Sequence, residues 1–163
     1  MRRLTHLCRL CEVVRIRCRN FIRRRRRVGA TLLTVGIHQL RRVRQLALDL
    51  PEVSERLSHG APCFFVRDRR PLCYFHDDDF DDRGRVSLMC PALAGMAAAL
   101  TDARPARFYQ PTTSAGGVFR DWLGMFLDDD ASDLLDWDEV ASVLEDAYRL
   151  AAPKRLAARL DGG

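Results

Sequence analysis

The sequence predicts an α+β fold, in which helices pack on one face of an antiparallel sheet. Two observations support this class. Short apolar segments bounded by turn residues cluster in the first half of the domain, and segments with helical spacing flank them. Clustered strands flanked by helices are typical of proteins whose helices cover one face of the sheet. The length of 163 residues fits a single domain of this kind.

The element that opens the domain is a helix. Its apolar residues lie on one helical face, at positions 40, 43, 46, 47 and 50. Pro51 ends it. Four short segments then predict strands, at residues 54–57, 62–66, 71–75 and 85–90. The second and third of these flank a four-residue charged loop, which indicates a β-hairpin.

The second half of the domain is predicted to run helix, strand, helix. Pro91 is expected to open a helix over residues 92–100, because proline is favoured in a first helical turn. Residues 118–127 predict another strand. The last helix is expected over residues 137–150, where apolar residues again share one face. Two aspartates are candidates for its N-terminal cap: Asp133 and Asp136.

The charge of the chain is divided between two regions. Residues 1–34 hold eleven arginines and one acid, a net charge of +10. Residues 35–163 hold 16 bases and 21 acids, a net charge of −5. The leader, residues 1–35, therefore accounts for the basic character of the chain, and the domain, residues 36–161, is acidic. The preference for arginine over lysine is typical of a GC-rich bacterial genome.

The leader shows neither helical nor strand periodicity. We expect it to be disordered, or to precede the true start of translation. Its apolar segment is too short to cross a membrane and no cleavage site follows it, so we expect a cytoplasmic protein. An arginine run also suits a phosphate backbone or an anionic membrane. Cys8 and Cys11 have a zinc spacing, but the second pair usual in zinc sites is missing. Three further cysteines in apolar segments are expected to be free thiols: Cys63, Cys73 and Cys90.

The densest acidic cluster is the loop Asp77–Asp82. Its spacing does not fit the calcium-loop pattern, whichever of two aspartates starts the count. In neither case are the glycine and the glutamate positions of the pattern both filled by those residues. A solvated loop is expected there, with weak metal binding as the alternative. His59 and His76 adjoin strand ends and are expected to be surface or turn residues. No nucleophile, base and orienting group can be assembled, so we expect a non-catalytic protein without a cofactor.

Arginines and aromatic residues alternate after residue 103. This pattern suits contact with nucleic acid. It also arises when aromatic rings face the core and arginines cover its edge, and the negative charge of the domain favours that interpretation. The candidate DNA-contacting residues are Arg104, Arg107, Arg120, Trp122, Lys154 and Arg155.

Five segments carry a family resemblance through their order and spacing: Leu50–Val53, Arg85–Leu88, Arg107–Pro111, Trp122–Asp128 and Trp137–Leu156. In this arrangement the chain resembles the MmcQ/YjbR family over about its last 125 residues. The resemblance implies a frataxin-like (CyaY-like) α+β fold, DNA binding and no defined enzymatic activity. The alternative function is that of an acidic protein-interaction or weak metal-binding domain.

The resemblance places Arg120 and Trp122 in a stretch where the family has His-x-Gly-Trp. Phe119 and Asp121 stand here in place of the family's His and Gly, and Pro91 and Ala92 stand directly after Cys90 where the family has a lysine. The aspartate and the missing lysine both reduce affinity for phosphate.

Overall fold

The computed structural model of the chain describes residues 30–77, 84–111, 119–129 and 133–160, and the side chains from residue 36 onward. Its elements are α1 (Ala30–Leu48), β1 (Val53–Ser58), β2 (Ala61–Val66), β3 (Arg70–His76), β4 (Ser87–Pro91), α2 (Met96–Ala103), β5 (Phe108–Tyr109), β6 (Trp122–Phe126), α3 (Trp137–Ala151) and α4 (Lys154–Ala157). The predicted α+β class is confirmed. In the described part of the chain, no helix combines the length and apolar character needed to cross a membrane.

The six strands form one antiparallel sheet in the order β1-β2-β3-β4-β6-β5. The first four strands are neighbours in the chain and in the sheet, and β6 then pairs between β4 and β5. The predicted hairpin is confirmed as β2 and β3. Its turn contains Arg67 and Asp68, which both adopt positive φ angles, 54° and 56°. The chain thus brings residues from its second half against β4, at the inner part of the sheet.

The main core lies between the sheet and the helices. All four helices of the described residues contribute buried side chains to it, including Val43, Ala97, Leu144 and Leu156. The strands contribute residues mainly from one face, among them Phe64, Phe75, Leu88, Leu123 and Met125. We call this face of the sheet the helix side. Helices therefore pack on one face, as predicted, while the likeness to frataxin stays a prediction.

The last helix confirms the sequence prediction closely. It covers Trp137–Ala151, and the side chain of Asp136 accepts a hydrogen bond of 2.9 Å from the backbone N–H of Asp138. Asp136 is therefore the cap, and Asp133 is used elsewhere. Tyr148 is buried on this helix, and its hydroxyl donates to the Pro51 carbonyl at 2.8 Å. This bond ties the helix to the loop that precedes β1.

Two helix starts differ from prediction. α1 begins at Ala30 rather than near His38, because no proline interrupts residues 30–48 and the helix continues into the expected leader. The prediction that Pro91 opens a helix was wrong. Pro91 is the last residue of β4, opposite Trp122, where its missing N–H costs no ladder bond within the strand. α2 instead starts at Met96 after Gly95, whose φ of 81° reverses the chain.

Candidate nucleic-acid interface

The sheet face opposite the helices is defined by strand register, because residues paired across antiparallel strands share a face. One row of paired residues crosses all six strands: Arg56, Cys63, Tyr74, Met89, Gly124 and Tyr109. A second row contains His76, Ser87 and Phe126. Trp122 lies two residues before Gly124 and so shares their face. We call this surface the aromatic face.

Three rings form a cluster on the aromatic face. The ring centroids of Tyr74 and Trp122 are 5.6 Å apart, and those of Phe119 and Trp122 are 5.1 Å apart. Tyr74 and Phe119 meet at 6.4 Å with nearly perpendicular planes. Such pairs contribute about 0.5–1.5 kcal/mol beyond the area they bury. All three rings are only half-buried, so the cluster presents aromatic surface to solvent.

Beside this cluster the aromatic face is closed. Tyr109 stacks on Phe126 with centroids 4.8 Å apart, and both are buried with Met89. The Tyr109 hydroxyl lies 3.1 Å from the hydroxyl of Ser87. The ring of Tyr109 lies over Gly124 so closely that a Cβ at this position would overlap it. Because residue 124 is glycine, the Tyr109 ring can lie against the backbone, and this closes the part of the aromatic face beside the open cluster.

Arginines border the aromatic face. The guanidinium of Arg56 lies 3.8 Å from the centroid of the Phe65 ring, and that of Arg85 lies 4.0 Å from the centroid of Phe126. Arg85 is held by Asp128, with its Nε 2.8 Å from the carboxylate. Arg120 is exposed in the turn that leads into β6, two residues before Trp122. Of the described strand residues on this face, none is acidic, so the surface is aromatic with a positive border.

The histidine and the cysteine of the aromatic face are neutral at neutral pH. Burial lowers the pKa of His76 to about 4, opposed only partly by Asp77. Burial likewise raises the pKa of the Cys63 thiol to about 12. The His76 ring lies nearly parallel to the Tyr74 ring, with centroids 6.4 Å apart. Neither group adds negative charge to the surface.

Arg107 is 0% exposed and is used inside the protein. Its guanidinium donates to the carbonyls of Phe126 at 2.7 Å and Asp128 at 2.9 Å, and also to the carbonyl of Asp133. Its Nε lies 3.5 Å from the Asp133 carboxylate. These bonds join the segment before β5 to the segment after β6. Arg107 is therefore a structural residue whose side chain does not face solvent, contrary to its predicted role as a DNA contact.

Arg104 forms a surface ion-pair network. It donates to the carboxylates of Asp133 and Glu139, with an Asp133 distance of 2.8 Å. Its hydrogen bonds to these two carboxylates raise the pKa of Arg104. Its hydrogen bond in turn lowers the pKa of Asp133. The side chain is partly exposed, but its charge is already matched by two acids, which makes it a weak candidate for binding phosphate.

Lys154 and Arg155 are exposed on α4. The neighbouring Leu156 is buried in the core on the helix side. The sheet therefore separates these two bases from Trp122. Of the six predicted contact residues, only Trp122 lies on the aromatic face, with Arg120 two residues before it in the chain, whereas Arg104 and Arg107 meet at Asp133.

The acids of the domain are unevenly distributed along the chain. Residues 128–160 include nine acids and four bases, a net charge of −5. Five of these nine acids precede α3 in the chain, and four belong to it. Residues 35–127 hold eleven acids and twelve bases. The net negative charge calculated for the whole domain thus arises after β6.

Sequence reasoning did not select several members of the aromatic face, including Arg56, Tyr74 and His76. The alternation of side chains along β3 could have identified the residues of this strand. It is not visible in the sequence, because residues on both faces of the strand are apolar or aromatic. The acidic loop lies outside the described residues from position 78 to 83. Within the described ranges, no three His, Cys, Asp or Glu side chains gather in an arrangement that could hold a metal ion.

The fold defines a class: an α+β protein built on one antiparallel sheet, with helices on one face and aromatic rings on the other. The YjbR family model matches residues 48–150, which cover every strand of this sheet and most of α3. The chain belongs to the MmcQ/YjbR family, as its five sequence segments indicated. No curated protein and no solved structure matches it.

Proposed function

We propose that this protein is a non-catalytic DNA-binding protein and that the aromatic face is its contact surface. One observation carries the proposal: the exposed Arg120 lies in the chain between Phe119 and Trp122, two rings of a half-open aromatic cluster on a face whose described strand residues include no acid. Arginine supplies phosphate contacts and aromatic rings supply base contacts in proteins that bind nucleic acid. The residues that match the family model include this surface, and family membership supports the choice of surface to that extent.

Binding rather than catalysis is supported by the state of the described cysteines. Burial raises the pKa of Cys63 and of Cys90 to about 12, and that of Cys73 well above its usual value. A thiol needs to ionise before it acts as a nucleophile. These three thiols remain protonated at neutral pH, so they behave as small apolar residues of the sheet.

The test compares arginines on the two sides of the sheet in the full chain. Binding of labelled DNA, single-stranded and duplex, is followed by fluorescence anisotropy between about 50 mM and 200 mM salt. Arg120→Ala should lower the slope of log affinity against log salt by about one, the loss of one phosphate contact. Arg159→Ala is the matched control, because this exposed residue lies on the helix side near Tyr148.

The Arg-rich leader is present in both variants and contributes equally to them, so the difference between variants reports on the domain. An unchanged slope for Arg120→Ala with both DNA forms would contradict the proposal. A reduced slope for Arg155→Ala with no effect at Arg120 would instead place the contact on the helix side.

A further inference from the structure

The width of the aromatic face argues against entry into a groove of duplex DNA. Six strands spaced by about 4.8 Å extend over about 24 Å. The major groove is about 12 Å wide and accepts a helix or a two-stranded ribbon. Tyr74 on β3 and Trp122 on β6 both have a strand on either side. Their rings therefore belong to a broad surface and not to a ridge that a groove could accept.

The rings of the cluster are arranged to accept a base. Trp122 is tilted by 46° to Tyr74, and Phe119 meets each of them nearly at right angles. None of these three pairs is a parallel stack, and each ring is half-buried. Part of the Trp122 and Tyr74 rings is therefore accessible. In a duplex the faces of the bases are covered by neighbouring base pairs, so only unpaired bases can stack on side chains.

Charge on the same surface suits a polyanion. Arg120 is exposed between Phe119 and Trp122 in the chain, and Arg56 lies on the aromatic face at β1. The described strand residues of this face contribute no acidic side chain. An anionic strand could thus follow the face from Arg120 towards Arg56, with its bases against the rings between them. A neutral apolar partner would gain nothing from these two charges.

We infer that the aromatic face binds single-stranded DNA, with bases stacked on Trp122 and Tyr74 and phosphates paired with Arg120 and Arg56. The inference rests on the proposed function and specifies the form of DNA that this surface accepts. Stacking on aromatic side chains tolerates any base, so little sequence preference is expected. Affinity should fall as salt rises, since phosphate contacts release counterions.

The experiment uses the emission of Trp122 as its reporter. The chain has two tryptophans, so Trp137→Phe in the full chain leaves Trp122 as the only one. This variant is titrated with an oligothymidylate, with an abasic oligodeoxynucleotide of equal phosphate number, and with a duplex. The oligothymidylate should quench the emission, while the abasic strand should bind roughly tenfold more weakly or worse, without quenching. The leader meets the same number of phosphates in both strands.

Substitutions on the same background separate stacking from folding. Tyr74→Ala should weaken oligothymidylate binding by roughly tenfold, and Tyr74→Phe should retain it because the ring remains. Arg159→Ala should leave it unchanged. Equal affinity for the abasic strand and the oligothymidylate would overturn the inference.

Tighter binding of duplex than of single strand, with an effect of Arg120→Ala on the salt slope, would overturn the inference and leave the proposed function standing. If Arg120→Ala changes the binding of neither form, both fail.

Discussion

The two faces of the sheet are made from the same strands and differ in what covers them. On the helix side, Phe75, Leu88 and Met125 are almost completely buried under residues from all four helices. On the aromatic face, Tyr74 and Trp122 are half-buried and bordered by arginines. Burial on the helix side stabilises the fold, whereas the open rings of the other face cost exposed apolar area. This partly open aromatic surface beside a well-packed core is the reason why we propose a binding role for it.

Arg107, the buried arginine that precedes β5, should show the largest effect on stability when it is replaced. Arg107→Met keeps much of the side-chain volume but leaves three carbonyls and the Asp133 carboxylate without their donor. Removing one partner of a buried ion pair costs about 3–5 kcal/mol. The free energy of unfolding, measured by urea denaturation, should fall by this amount. Arg104→Met, which breaks partly exposed ion pairs, should cost about 1 kcal/mol or less and serves as the control.

A direct comparison of the faces pairs Leu144→Ala with Trp122→Ala. Leu144 is buried in the main core, so its truncation should lower the free energy of unfolding by about 2–5 kcal/mol. Trp122 is half-buried, and its truncation should cost about 1–2 kcal/mol. Equal losses in urea denaturation would show that the aromatic face is a second core, and would remove the main reason for assigning it a binding role.

A further difference concerns pH and belongs to the aromatic face. Burial lowers the pKa of His76 from 6.5 to about 4, so the unfolded chain binds a proton that the folded protein resists. Stability should therefore be complete above pH 6.5 and fall as the pH decreases towards 4, by up to about 3 kcal/mol. His76→Gln should remove this dependence, measured as the difference in free energy of unfolding between about pH 7 and about pH 5. The carboxylate of Asp133 has a lowered pKa and loses its contribution only below its ordinary value of 3.8, outside this window.

Local patterns predicted much of the fold. The β2–β3 hairpin followed from two apolar segments around a charged loop, and α3 followed from its apolar period and the cap at Asp136. The start of α2 was missed because Pro91 pairs with Trp122 at the end of β4. Its local preference for a first helical turn does not decide its conformation here. Pairing of this kind joins residues about thirty positions apart, and no local rule contains it.

The candidate site was predicted only in part, for a similar reason. Arg107 and Arg120 look alike in sequence, since each stands next to aromatic residues. One is buried because carbonyls of the segment after β6 surround it, and the other is exposed in a turn. The rings of Tyr74 and Trp122 meet because β6 pairs with β4, the neighbour of β3, in addition to β5. The sequence shows which residues are aromatic, and the sheet order decides which of them meet.

The uneven distribution of acids along the chain has a consequence for encounters in solution. Residues 128–160 carry a net charge of −5, so the segment after β6 is repelled by a polyanion. Repulsion of this kind lowers the rate at which this segment meets the polyanion, and it acts only within a screening distance of about 10 Å at 0.1 M salt. The acids after β6 would thereby disfavour encounters through that part of the surface.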